Sequence, residues 1–82
     1  MRKNFERFLG KEMDVVLDTG KKMLAVTTGT VCTMEGTNES LDVRYRDGRS
    51  EKYKTNVREI GYFSNFVRIT YNDGSQTFLD FF

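Results

Sequence analysis

Leu41-Asp-Val-Arg-Tyr-Arg-Asp-Gly-Arg-Ser-Glu-Lys-Tyr53 is the stretch whose reading decides the fold. Leu41, Val43 and Tyr45 alternate with Asp42 and Arg44, the period of two that puts one set of side chains on each face of a strand. Asp47-Gly48 follows, and an Asp-Gly pair between alternating segments predicts a hairpin into Lys52 and Tyr53. The pattern recurs, because Val43-Arg-Tyr-Arg-Asp-Gly48 lines up with Ile69-Thr-Tyr-Asn-Asp-Gly74. The matching residues are those any hairpin needs, and a solenoid needs at least three units, so the reading is two similar hairpins and not a duplicated domain.

Toward the N-terminus the same period holds. Met13, Val15 and Leu17 alternate with Asp14 and Asp18, and Asp18-Thr19-Gly20 supplies turn chemistry. A further strand begins at Met23 with Leu24 and Val26 on one parity, whereas Val31, beyond Gly29, falls on the other. A phase slip at a strand glycine predicts a bulge or bend, the device that turns a barrel corner. Ahead of these, Phe5, Phe8 and Leu9 fall at i, i+3 and i+4 between a cap at Asn4 and a stop at Gly10, which predicts about two turns of helix lidding a core. Downstream, Val57, Ile60, Tyr62 and Phe63 continue the β-rich composition to a turn at Ser64-Asn65, and the chain ends Phe78-Leu-Asp-Phe-Phe82.

The expected fold is therefore mainly β, one domain over residues 1–82: a small barrel, or a strongly bent antiparallel meander of five or six strands, with a short N-terminal helix. Closure would remove strand edges that so short a chain cannot otherwise cover. A β-sheet with the helix packed on one face is the alternative.

Composition narrows the chemistry. With one cysteine, Cys32, no internal disulfide forms, and with no histidine neither a Cys/His zinc site nor a Ser-His or Cys-His nucleophile can be assembled. No catalytic residue, metal or cofactor is expected, and the chain reads as a binding protein, not an enzyme. Cys32, between Val31 and Thr33, reads as a buried structural thiol. A charged N-terminus and the lone thiol point to a cytoplasmic protein without a signal peptide. The longest uncharged run, Met23–Met34, is too short and too rich in threonine to span a membrane.

Two surfaces stand out as candidates. Thirteen basic against twelve acidic residues give no global attraction to nucleic acid, yet residues 44–58 hold six cations against two acids, a local +4. Arg44, Arg46, Arg49, Lys52 and Lys54 reach phosphates, and Tyr45 and Tyr53 between them could stack on bases. The competing reading is a solvated hairpin face with ordinary strand tyrosines. The second surface is aromatic, with seven large rings between residues 62 and 82, more than one parity of so small a core can hold. Tyr71, Phe78, Phe81 and Phe82 are the candidates for binding a protein partner or a second copy of the chain, against a reading in which the last residues wrap over the end of the core. The protein-partner reading, as inhibitor or adaptor, leads; nucleic-acid binding and a homo-oligomeric structural role are the alternatives.

Residues 41–60, with Val43-x-Tyr45-x-Asp47-Gly48 and the short strand after it, resemble the central hairpin of SH3-like barrels of the Tudor kind, and the likeness extends over about residues 13–63. The resemblance implies a small SH3-like barrel that binds through its hairpin surfaces. The tryptophan-bearing strand typical of Tudor domains is absent here, so it implies no complete methyl-lysine cage, although Tyr45 and Tyr53 stand where part of one would be.

Overall fold

The computed structural model describes residues 3–20 and 23–82, and side chains for all of these except 3–4 and 23–27. Alternating apolar residues do form strands: β1 (Lys3–Asn4), β2 (Glu12–Asp18), β3 (Met23–Gly36), β4 (Leu41–Tyr45), β5 (Ser50–Tyr53), β6 (Val57–Tyr62), β7 (Phe66–Tyr71) and β8 (Gln76–Phe81). All pair antiparallel in the order β5-β4-β3-β2-β8-β7-β6, with β1 beside β3.

β3 is the backbone of the architecture. Its first half pairs with β2 and its second half with β4 and β1, so the sheet folds across it. The bend sits where the phase slip predicts, because the β2 register jumps between Met13 and Asp14, opposite Gly29 and Thr27. Gly29 has φ +138°, a conformation a side chain would strain. Thr28 is the extra residue and is buried. A second bulge at Cys32, between the Val31–Tyr45 and Thr33–Arg44 pairs, adds to the twist and turns the thiol outward. Cys32 is exposed, not the buried thiol expected from its apolar neighbour.

Folding over β3 brings inward parities from both halves into one core. Met13, Val31, Leu41, Val43, Val67, Ile69 and Leu79 are all essentially inaccessible to solvent. Each fully buried aliphatic side chain of this kind is worth about 1.5–3 kcal/mol relative to exposure. The inward parity expected of Leu24 and Val26 lies outside the described residues, and Leu17, although in phase with Met13 and Val15, is 39% exposed at the end of β2.

The expected helix is a single 3-10 turn, Glu6–Phe8, with Phe5 at its N-cap. Asn4 does not cap it because that residue's backbone belongs to β1, paired with Glu35. Two turns of helix would need more chain than the seven residues between β1 and β2. The lid survives in reduced form. Phe8 stacks on Phe81 at 4.1 Å and Phe5 on Tyr62 at 4.1 Å, while Leu9 faces solvent.

Closure fails, and the expected barrel is an open sheet of seven strands with β1 added at one side. It is also not a meander, since β2 lies between β3 and the last strand, β8. The sheet stays open because the Lys54–Asn56 connection, with Asn56 at φ 58°, carries the chain away from β5. β6 leaves β5 unpaired and runs instead beneath the β3–β4 turn, where the Ile60 amide donates to the Asn38 carbonyl (2.8 Å) and the Tyr62 hydroxyl to that of Thr37 (2.6 Å).

The kinship between the two hairpins runs past their tips. Every ladder partner in the β3–β4–β5 meander has a counterpart 26 positions on, in β6–β7–β8: Val31–Tyr45 becomes Val57–Tyr71, and Val43–Glu51 becomes Ile69–Thr77. The bulge at Cys32 is repeated at Arg58. Turn bonds repeat as well, Thr37 N–H to Ser40 O as Phe63 N–H to Phe66 O, and Arg46 N–H to Thr30 O as Asn72 N–H to Asn56 O. The reading of two hairpins alone is thus too narrow: residues 30–53 and 56–79 are two copies of one three-stranded unit.

Candidate functional site

The C-terminal aromatics divide by strand parity. Leu79 and Phe81 point inward, and Phe81, 5% exposed and stacked on Phe8, is a core residue and not the partner-binding one expected. Tyr71 is half-buried, packed against the core on the inward parity of β7 with its hydroxyl against the Thr77 hydroxyl (2.9 Å), and is not part of the outer face that carries Phe78. Phe78 and Phe82 take the outward parity, half-buried and 69% exposed respectively.

Phe78 is one end of a strip that the sequence alone does not assemble. On the outer face of β6–β8 its ring lies 6.4 Å from that of Phe66, which stacks on Phe63 at 4.5 Å. Val16 extends the strip as Phe78's partner across the β2–β8 ladder. The Phe63 ring folds back over Gly61, where a Cβ would come within 3.0 Å of it, and Arg68 lies 5.4 Å from the ring centroid. Glycine at Gly61 thus leaves room for the ring, and the ring covers backbone that an edge glycine would otherwise bare to water. Phe63 remains 38% exposed. Asp14, Asp80 and Glu59 share this outer face with Arg68, the ladder partner of Phe78, so three carboxylates against one guanidinium leave the strip's border acidic on balance. The signal for Phe63 and Phe66 was available in the ring count, but their juxtaposition depends on the Ser64-Asn65 turn and on β7–β8 register.

The basic hairpin keeps its cations and loses its stacking platform. Arg44, Arg46, Lys52 and Lys54 are exposed. Tyr45 is 2% exposed and Tyr53 half-buried, both on the inward parity, so neither ring is free to stack on a base as expected. Burial raises the pKa of both phenols, reinforced by the Glu51 carboxylate, which accepts a hydrogen bond from the Tyr53 hydroxyl. Arg49 is committed locally. Its Nε donates to Asp47 Oδ2 (2.7 Å), a second nitrogen donates to the Thr28 carbonyl, and its guanidinium lies 5.3 Å from the Tyr45 ring.

A cleft of about 970 Å³ opens between the 3-10 turn, the β3–β4 turn and β6, lined by Phe5, Arg7, Glu39, Glu59 and Tyr62 among others. Arg7 clamps its rim, with the guanidinium 4.5 Å from the Phe8 ring centroid and Nη2 donating to the Phe63 carbonyl (2.9 Å). Among the described residues no three His, Cys, Asp or Glu side chains gather as metal ligands would, and no helix is long and apolar enough to cross a membrane.

No family model, curated protein or solved structure matches this chain.

Proposed function

We propose that this protein is a non-enzymatic binding module that engages a protein partner, as an inhibitor or adaptor, through the outer aromatic strip Phe63–Phe66–Phe78 with Phe82 beyond it. The observation that carries the reading is the run of three phenylalanine rings in contact on a solvent-facing side of the sheet. Rigid aromatic groups of this kind are the anchors of protein interfaces. The acidic border of Asp14, Asp80 and Glu59 favours a protein over nucleic acid, whose phosphates it would repel. In this reading the β4–β5 hairpin is part of the open-sheet scaffold and its surface cations form a rim, with no methyl-lysine cage implied.

The test is affinity capture with wild-type protein and with Phe63→Ser/Phe66→Ser, followed by light scattering of the recovered complex at low and high salt. The expected result is a complex that survives high salt and is lost in the double variant, whose fold is checked by circular dichroism. A partner that dissociates steeply with salt, or a shift on adding short DNA or RNA, would overturn the reading in favour of Arg44, Arg46, Lys52 and Lys54.

A further inference from the structure

The internal repeat leaves one strand without the neighbour its copy possesses. β8 is the counterpart of β5 and pairs with β2 along its outer edge: Gln76 with Asp18, Phe78 with Val16 and Asp80 with Asp14. Subtracting the 26-residue offset, the same edge on β5 belongs to Ser50 and Lys52, and β5 ends the sheet. The direction of its backbone groups follows from the turn. Tyr45 N–H bonds Arg49 O (2.8 Å), so alternation turns the amides and carbonyls of Ser50 and Lys52 away from β4 and toward solvent.

The other terminal strand differs. Its Ile60 amide is taken by Asn38, and the β3–β4 turn lies across it. Among the described residues β5 therefore carries the unobstructed edge, and the neighbour its counterpart takes, β2, is an extended segment that presents Asp14, Val16 and Asp18 on the outer face.

We propose that the outer edge of β5 is a strand-addition site for an extended acidic segment of a partner protein, bound antiparallel as β2 is bound to β8. Main-chain bonds to Ser50 and Lys52 give the affinity, and charge gives the choice. Lys52 lies on the outer face opposite half-buried Asp42, with Arg44 opposite Ser50 and exposed Lys54 beyond, so cations outnumber the one carboxylate and acidic side chains at alternate positions of the incoming strand meet them. The same lysines disfavour a second copy in this position, since antiparallel β5–β5 pairing sets Lys52 opposite either its own equivalent or Lys54 of the other copy. This contact is on the opposite half of the sheet from the aromatic strip and stands independently of it.

The experiment is fluorescence anisotropy of dye-labelled peptides of about eight residues, a strand's length, alternating glutamate with valine or lysine with valine. The acidic peptide is expected to saturate the protein and the basic one not. Alternate N-methylation of the acidic peptide along one edge should weaken binding about tenfold or more, the loss of one or two main-chain hydrogen bonds. Lys52→Pro should abolish binding with an unchanged melting temperature, because the amide it removes is not in the β4–β5 ladder. Lys52→Glu/Lys54→Glu should exchange the preference between peptides. The proposal is overturned if the acidic peptide does not bind, if N-methylation has no effect, or if amide shifts on binding map away from Ser50–Tyr53. It is equally overturned if the free protein proves to be a dimer through that strand.

Discussion

Gly36 closes the β3–β4 turn with almost no room around it. A Cβ there would lie 2.4 Å from the Ser40 carbonyl oxygen, 2.7 Å from the Tyr62 hydroxyl and 3.0 Å from Leu41 Cα. Because two of the three are main-chain atoms, Gly36→Ala should destabilise the protein by about 1–3 kcal/mol in urea unfolding, the usual cost of overpacking. Adding Tyr62→Phe should not rescue it, since the backbone clash stays. The adjacent C-terminal phenylalanines make a second contrast. Phe81→Ser should cost about 3–5 kcal/mol, as for a large core aromatic, and leave a domain of this size largely unfolded. Phe82→Ser should change stability by less than about 0.5 kcal/mol, and paired melting curves check both. Period two told these rings apart in the sequence, but which parity was inward depended on β8 lying between β2 and β7. The β2–β8 pairing joins residues 58 to 68 positions apart, and no local signal encodes it.

At the scale of elements, the two hairpin tips obey one chemistry. Asp47 Oδ1 accepts the Arg49 amide and Asp73 Oδ1 the Ser75 amide, and Gly48 and Gly74 both sit at positive φ. Hydrogen bonding lowers both carboxyl pKa values, at Asp47 from the Arg49 amide and guanidinium, at Asp73 from the Ser75 hydroxyl and amide. A carboxyl held below its unfolded value, about 3.9, stabilises the fold above that pH and loses the contribution as pH falls through the lowered one. Denaturation midpoints should therefore drop on acidification below about pH 4, and Asp47→Ala/Asp73→Ala should show a shallower acid limb. Arg46→Ser should be silent, whereas Arg49→Ser should lower the unfolding free energy by about 0.5–1.5 kcal/mol, because its side chain ties the tip to Thr28 on β3. Asp-Gly made the hairpins readable, and Gly29 marked its bulge. The bulges at Cys32 and Arg58 left no trace, since neither residue needs an unusual backbone and each is betrayed only by the partner strand's register. Cys32 should accordingly react with Ellman's reagent in the folded protein at a rate close to that of a free thiol.

For the whole molecule, charge and hydrophobicity are sorted onto separate regions of one bent sheet. The β6–β8 half exposes aromatic rings within an acidic border, and the β4–β5 half exposes Arg44, Lys52 and Lys54. Composition hid this, because a formal net charge of +1 averages the two halves. Folding of the second unit against the first by way of β2 also makes the two copies unequal. One has a neighbour on its last strand and the other does not.

That inequality has a consequence for assembly. A subunit with two open borders can hand a sheet on from copy to copy and grow without limit, as fibrils do. Here the β3–β4 turn obstructs one border and the other stands open, so the molecule can receive a strand but has nowhere to pass it on. It is shaped as a terminus, a piece that ends a row: a partner's strand can be added once, and copies of the protein alone should not join edge to edge even at high concentration.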